Sequence, residues 1–207
     1  MDKMEMFKEN IFSWYTFDKN AIGIVFSNDE NYKTILSKKI NILSEGQNEK
    51  LDYIIFVEAE NVYEQICKLL PRTTSQTKII IVGENEYSLK NISTYPSNLE
   101  LLKIKPNNKI CDIKKQLQEC GYIYSNTYYA FPNYDFVDML FNKNYDIKYE
   151  QVIKYIPTFE KDKIKIFDEV KMLEEISKID KNLLDIFANS YFIEFSQNPL
   201  KSDVNYV

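Results

Sequence analysis

The stretch from Leu51 to Asn85 constrains the fold more than any other part of the chain. It reads LDYIIFVE, a helical interval, and then KIIIVGEN. Tyr53–Val57 and the run from Ile79 to Val82 are continuously apolar and β-rich. Runs without polar alternation suit strands buried on both faces, as in a parallel sheet covered by helices. Between them, Asn61 followed three residues later by Glu64 predicts a helix start. Val62, Ile66, Leu69 and Leu70 then form an apolar stripe, and Pro71 closes it. Strand, helix and strand of this length make one right-handed βαβ unit.

The flanking segments extend that unit. AIGIVF, from Ala21 to Phe26, reads as a first strand. A helix from Asn31 to Lys38 follows, capped by Asn28 or Asp29 and burying Tyr32, Ile35 and Leu36, and Ile40 to Leu43 forms a short second strand. The resulting order, β-α-β-β-α-β, predicts an α/β fold with a doubly wound, Rossmann-like sheet. Upstream, Met4 to Phe12 has the spacing of an amphipathic helix. The aromatics of FSWYTFDKN clamp the approach to the sheet, with Trp14 as a packing anchor. Downstream, Leu99 to Ile104 is a short apolar piece. Asp112 is expected to cap a helix carrying Ile113, Leu117 and Cys120, with Gly121 just past its end. Tyr122 to Tyr129 reads as a strand, Glu169–Ile179 as a helix, and ANSYFIEF as the last strand. No Gly/Ser/Pro-rich linker divides the chain. The expectation is therefore one domain over 1–207, with an N-terminal helix and aromatic lead-in over 1–20 and an irregular or helical insertion over 130–180.

Composition narrows the chemistry. The chain has 207 residues, 44% of them apolar, enough for a real core. Its formal net charge of −5 argues against nucleic acid or an anionic membrane surface as the main partner. There is no histidine, which removes the commonest general base and metal ligand and every Ser-His or Cys-His pair. Cys67, Cys111 and Cys120 show no CxxC spacing. Cys67 and Cys120 fall on apolar helix faces, where small buried thiols are expected. An odd cysteine count without a signal peptide points to the cytoplasm. No apolar run approaches membrane-spanning length. No metal site is expected.

In doubly wound sheets ligands bind at the carboxyl ends of the strands. The candidates there are Asn28, Asp29, Glu45, Glu58, Glu84 and Asn85. An adenosine cofactor normally needs a glycine-rich turn after the first strand, so that backbone N–H groups approach it closely. Here the turn reads SNDEN, with no glycine and two carboxylates. Glu45 could hydrogen-bond ribose hydroxyls, and Glu58 with Glu84 could form an acid/base pair. Solvated loop carboxylates are the alternative in each case. Tyr122, Tyr124, Tyr128, Tyr129 and Tyr134 either line a sugar or base pocket or pack at a sheet edge.

YYAFPNYDFVDMLFN, from Tyr128 to Asn142, resembles the YYPxPDYKxPxxIFSDEY stretch of a methyltransferase-like domain of bacterial cell-surface polysaccharide biosynthesis proteins. That domain occurs beside glycosyltransferase or sugar-kinase-like modules. Other pieces follow in the family's order: FSWYTFD with "ILxWYPF", LDYIIFV with "FDYIVLIG", IIVGENEYSL with "LLIAIENRFGLKY", QECG with the helix end "LLxxAGF", and IFDE and IFANSYFIE with "LFDE" and "FANSFLVE". The resemblance implies a class I methyltransferase fold, shortened near its second and third strands, with the segment from Tyr122 to Tyr129 and the last strand as an antiparallel edge pair. In place of the family's "EIGAGxGAIT" the chain reads IVFSNDENYKTI, and Phe136 and Val137 replace the Lys and Pro after "PDY".

These departures predict no bound cofactor and no catalytic residue. The expected role is a non-catalytic binding or scaffolding domain in cell-surface glycan biosynthesis. One alternative is an S-adenosylmethionine-dependent methyltransferase acting on a glycan or peptide, its site completed by a partner. A second is a structural or allosteric subunit of an unrelated complex. Tyr128, Tyr129, Asn133, Tyr134 and Asp135 are the expected substrate or partner surface. The end of the chain, Ser202 to Val207, resembles the start of the family's next module, "SDVxYVKYSxxR", and is expected to dock on a partner protein or adjoining domain.

Overall fold

The computed structural model describes residues 12–85, 87–89, 94–95, 109–134, 137–143, 146, 148, 164–165 and 168–200. Residues 4–11 of the helix expected over 4–12, the piece over 99–104, Asp135 and the tail over 202–207 lie outside them. In chain order the elements are β1 (Ile22–Ser27), α1 (Glu30–Ser37), β2 (Asn41–Ile42), β3 (Tyr53–Val57), α2 (Val62–Leu69), β4 (Lys78–Glu84), β5 (Thr94–Tyr95), α3 (Lys109–Glu119), β6 (Tyr124–Pro132), β7 (Val137–Asn142), β8 (Ile164–Lys165), α4 (Glu169–Ile179), α5 (Leu184–Phe187) and β9 (Ser190–Ser196).

Seven strands form one mixed sheet in the order β2-β1-β3-β4-β9-β6-β7, and β5 pairs with β8 apart from it. The core of the sheet is the expected βαβ unit. β3 and β4 are parallel neighbours, with Tyr53 opposite Lys78 and Val57 opposite Val82. β1 lies parallel on the other side of β3, and the two-residue β2 lies beyond it. β9 then inserts antiparallel between β4 and β6. This is the Rossmann-like, class I methyltransferase type of sheet, shortened at the β2 edge. The expected antiparallel pairing of the last strand is present, and β7 lies outside it as the edge strand.

The sheet is buried on both faces, as the unbroken apolar runs require. One face carries Ile24, Ile54, Phe56, Ile79, Ile81, Ile193 and Phe195 under α2, α3, α4 and α5. The other carries Val25, Tyr53, Ile55, Val57, Ile80, Val82 and Phe192 under α1 and Phe12. Each buried Ile, Val or Phe contributes about 1.5–3 kcal/mol. Trp14 packs here as an anchor, its ring 4.6 Å from Phe192 and 5.1 Å from Tyr128.

Several boundaries shift for local reasons. Asp29 caps α1, its carboxylate accepting the N–H of Asn31. Asn61 precedes α2 in the left-handed conformation (φ 53°) and gives it no side-chain cap, so the expected cap there is corrected. α3 starts at Lys109, so Asp112 lies inside its first turn instead of capping it. Gly121, at φ 89°, ends α3 as expected: its N–H reaches the Gln118 carbonyl, and that of Tyr122 reaches Leu117. β6 runs to Pro132, and Val137–Asn142 forms a strand where irregular chain was expected. YYAFPNYDFVDMLFN is therefore the β6–β7 hairpin.

Candidate functional site

Because β1, β3 and β4 are parallel and in register, their carboxyl ends share one edge of the sheet. Glu58 follows β3 immediately and turns the chain away from the sheet. Its N–H donates to the Val82 carbonyl at 3.0 Å, and its backbone sits at φ 47°. The other non-glycine residues at positive φ among the described ones are Asn20 and Asn61. Asparagine tolerates this region well. A glutamate there pays a steric cost, of the kind that recurs at functional sites. The Glu58 carboxylate accepts the backbone N–H of Glu84 at the end of β4. The Asn28 side-chain amide donates to the Glu58 carbonyl at 3.1 Å.

Asn28, Glu58 and Glu84 are thus brought together, with both glutamates exposed. Gly83 and Tyr191 complete the arrangement. A Cβ added at Gly83 would lie 2.8 Å from the Tyr191 hydroxyl and 3.0 Å from Glu58 Oε1, so phenol and carboxylate press on one point above the backbone. Ser190, in register with Glu84, is fully buried, and its hydroxyl has no hydrogen-bond partner among the described residues.

The other candidates are placed differently. Asp29 is engaged at the start of α1. Asn85 is buried and serves as a tie, its amide donating to the Ala188 carbonyl at 2.7 Å and its N–H to Asn189 at 3.0 Å. Glu45 is not brought to the group. Its carbonyl accepts from Arg72 Nη1 at 3.3 Å, and the Arg72 carbonyl takes the N–H of Leu51, just before β3 begins. That anchors Glu45 toward the amino end of β3, opposite Glu58. Tyr128 and Tyr129 are 5% and 0% exposed and point into opposite faces of the sheet. The expected surface made from them is corrected, because adjacent strand residues alternate faces. Asn133 and Tyr134 are half-buried, with Tyr134 against the Tyr32 ring at 6.4 Å.

Two polar clusters went unread in the sequence. Asp185, on α5, is buried and accepts from the Tyr129 hydroxyl at 2.6 Å, from Lys143 at 2.9 Å and from Lys114 at 3.2 Å. Burial alone would raise its carboxyl. Lys114, the Tyr129 hydroxyl and Lys143 outweigh that and hold it below the usual range. Burial also pulls Lys114 below the ordinary lysine value, despite Asp185. On the opposite face Glu194 accepts from Tyr15 at 2.5 Å and pairs with Lys78 at 3.1 Å. Burial, then the Glu194 charge, pushes the Tyr15 hydroxyl far up. The signal available for both was a single acid inside an apolar run, LLDIF and YFIEF. Among the described residues no cluster of three His, Cys, Asp or Glu side chains could hold a metal ion, and no helix is long and apolar enough to cross a membrane.

No protein-family model matches the chain, and no curated protein matches it. Among solved structures it is similar to a SAM-dependent methyltransferase from Archaeoglobus fulgidus, at 10% identity and a TM-score of 0.48, covering 94% of each chain. It is similar to a SAM-dependent methyltransferase from Thermotoga maritima at 8% identity and a TM-score of 0.45, covering 94% of this chain and 89% of that one. It is also similar to the plantazolicin methyltransferase BpumL in complex with SAH, at 12% identity and a TM-score of 0.40, covering 94% and 82%. The expectation of no cofactor is corrected by this finding: the neighbours are SAM-dependent enzymes, and one is in complex with SAH, the demethylated product of S-adenosylmethionine.

The residues of the strand-end site fit such a ligand in part. In the β1–α1 turn the N–H of Asp29 is taken by Ser27 Oγ and that of Asn31 by Asp29, so these donors do not cradle a carboxylate. S-adenosylmethionine itself carries net positive charge, through its sulfonium and ammonium groups. Glu58 and Glu84 are the residues that would hold those groups and its ribose hydroxyls, because a carboxylate accepts more than one donor.

Proposed function

We propose that the chain is an S-adenosylmethionine-binding domain of methyltransferase type, holding the ligand's cationic and ribose groups between Asn28, Glu58 and Glu84 and serving cell-surface glycan biosynthesis. What carries the binding site is Glu58, kept at positive φ with its carboxylate on the Glu84 N–H at the shared edge of three parallel strands. The glycan association rests on the resemblance of the β6–β7 hairpin and its ordered companions to the polysaccharide-biosynthesis domain. S-adenosylmethionine supplies an activated methyl group when bound; the residues named here position the ligand. Calorimetry with S-adenosylmethionine and S-adenosylhomocysteine tests the site. Binding in the range of about 10–100 μM is expected, weakened roughly tenfold in E58Q. No heat at millimolar ligand, or binding indifferent to E58Q and E84Q, overturns it. Co-purification with glycosyltransferases tests the pathway separately.

A second reading, methyl transfer to a glycan or peptide with a partner completing the site, is favoured by the Tyr191 hydroxyl and the Glu58 carboxylate, which both approach the space above Gly83 and are groups able to take up a proton there. Transfer of labelled methyl to a glycan or peptide fraction only when the co-purifying partner is present would support it. Binding without transfer would leave the domain as a non-catalytic module.

A further inference from the structure

Residue type is a poor guide to burial in the stretch between β3 and β4. Cys67, expected to be buried, is exposed, whereas Arg72, five residues on, is only 8% exposed. Arg72 closes a short 3-10 turn, Leu70–Arg72, that follows α2. The other charged residues buried among the described ones are Asp185 and Glu194. Both are neutralised by lysines, Glu194 by Lys78 at 3.1 Å and Asp185 by Lys143 at 2.9 Å and Lys114 at 3.2 Å. Arg72 has no such partner: among the described residues no carboxylate forms an ion pair with it. Its Nε donates to the Glu49 carbonyl at 3.1 Å and its Nη1 to the Glu45 carbonyl at 3.3 Å. Nη2 is enclosed and has no hydrogen-bond partner among the described residues.

Acids are available nearby and are not used. Glu45 and Glu49 turn their carbonyls to the guanidinium, while both residues are exposed and neither carboxylate pairs with it. A second cation is tied to the same turn, with Lys50 Nζ donating to the Pro71 carbonyl at 2.9 Å. Carbonyl dipoles thus hold two positive charges with no negative charge opposite them. Arginine does not lose its proton in a protein, so it cannot escape this by neutralising. A buried charge without a counter-charge is among the costlier arrangements a fold can hold.

We propose that Arg72 Nη2 is the binding site of a small monovalent anion, of chloride size, which supplies the missing negative charge. A water molecule would accept from Nη2 but would leave the charge uncompensated. Room comes from the exposed loop that runs from Glu45 to Glu49. A Cβ added at Gly46 would have no atom within 4 Å, so that loop has space to move outward. A halide needs the least displacement; sulfate and phosphate are larger and need more donors than one guanidinium nitrogen presents. The Arg72 carbonyl accepts the N–H of Leu51 at 3.0 Å just before β3, so the bound anion steadies the entry to the central strand. This is the amino end of β3, opposite Glu58, and the inference does not depend on what the strand-end site binds.

The test uses the intact chain with chloride, and with bromide as its heavier stand-in. At equal ionic strength, about 0.3 M potassium chloride should raise the melting temperature by roughly 3–6 °C over potassium gluconate, and bromide should act like chloride. R72M should melt at the same temperature in all three salts. Crystals of the parent protein grown in bromide should give an anomalous peak within hydrogen-bonding reach of Arg72 Nη2. Equal melting of the parent in chloride and gluconate, or a salt response kept in R72M, overturns the proposal. So does an ordered water without bromide at Nη2, or a bromide peak with no effect in solution. The parent's melts and crystals decide the matter even where R72M folds poorly.

Discussion

The Tyr129 hydroxyl donates to Asp185 Oδ1 at 2.6 Å, joining the middle of β6 to the short helix that leads into β9. Lys114 and Lys143 close on the same carboxylate, so α3, α5, β6 and the end of β7 meet at one buried charge. Removing that charge leaves two half-buried lysines facing each other. D185N is expected to cost about 2–4 kcal/mol at neutral pH in urea unfolding. The folded-state pKa of Asp185 is depressed below the reference of 3.8. Its stabilisation is therefore present above about pH 4 and is lost as pH falls through the lower, folded value. Parent protein should show this acid loss, and D185N should show a flatter profile below pH 4. Equal slopes would remove Asp185 from the account.

Tyr15 gives a prediction of opposite sign. Its folded-state pKa is raised by burial and by Glu194, so the hydroxyl stays protonated in the fold after the unfolded chain has begun to ionise near pH 10. The unfolded state then binds fewer protons, and stability falls as pH rises above about 10. Y15F should cost about 1–2 kcal/mol at pH 7, leaving Glu194 to Lys78 alone. It should also lose stability less steeply than the parent between pH 9.5 and 11, and thermal melts across that range decide it.

Two glycines of the same sheet, on β1 and β4, should respond differently to the same methyl group. A Cβ at Gly23 would lie 2.7 Å from Ile40 Cδ1 and 3.1 Å from the Tyr53 carbonyl, which is backbone within the sheet and cannot yield. G23A is expected to destabilise by about 2–3 kcal/mol. At Gly83 the close atoms are the tips of the Tyr191 and Glu58 side chains, which can move. G83A should cost under about 1 kcal/mol yet weaken S-adenosylmethionine binding at least fivefold, since it displaces Glu58. Chemical unfolding and calorimetry on both variants check the contrast; a G83A protein that binds normally argues against the strand-end site.

Unbroken apolar runs at Tyr53–Val57 and from Ile79 to Val82 were enough to announce a doubly covered parallel pair, because only such burial tolerates no polar alternation. The helix end at Gly121 was equally legible, and the cap of α1 was narrowed to Asn28 or Asp29, since both depend on a few adjacent residues. The chain alone also located the strand ends where Asn28, Glu58 and Glu84 lie. It did not disclose that Glu45 is drawn toward Arg72, that Tyr128 and Tyr129 vanish into opposite faces, or that Asp185 and Glu194 find their partners. Periodicity and capping are local and act over one or two turns. Which buried acid meets which lysine depends on how whole elements pack across the sheet, and that was decided only by the tertiary structure.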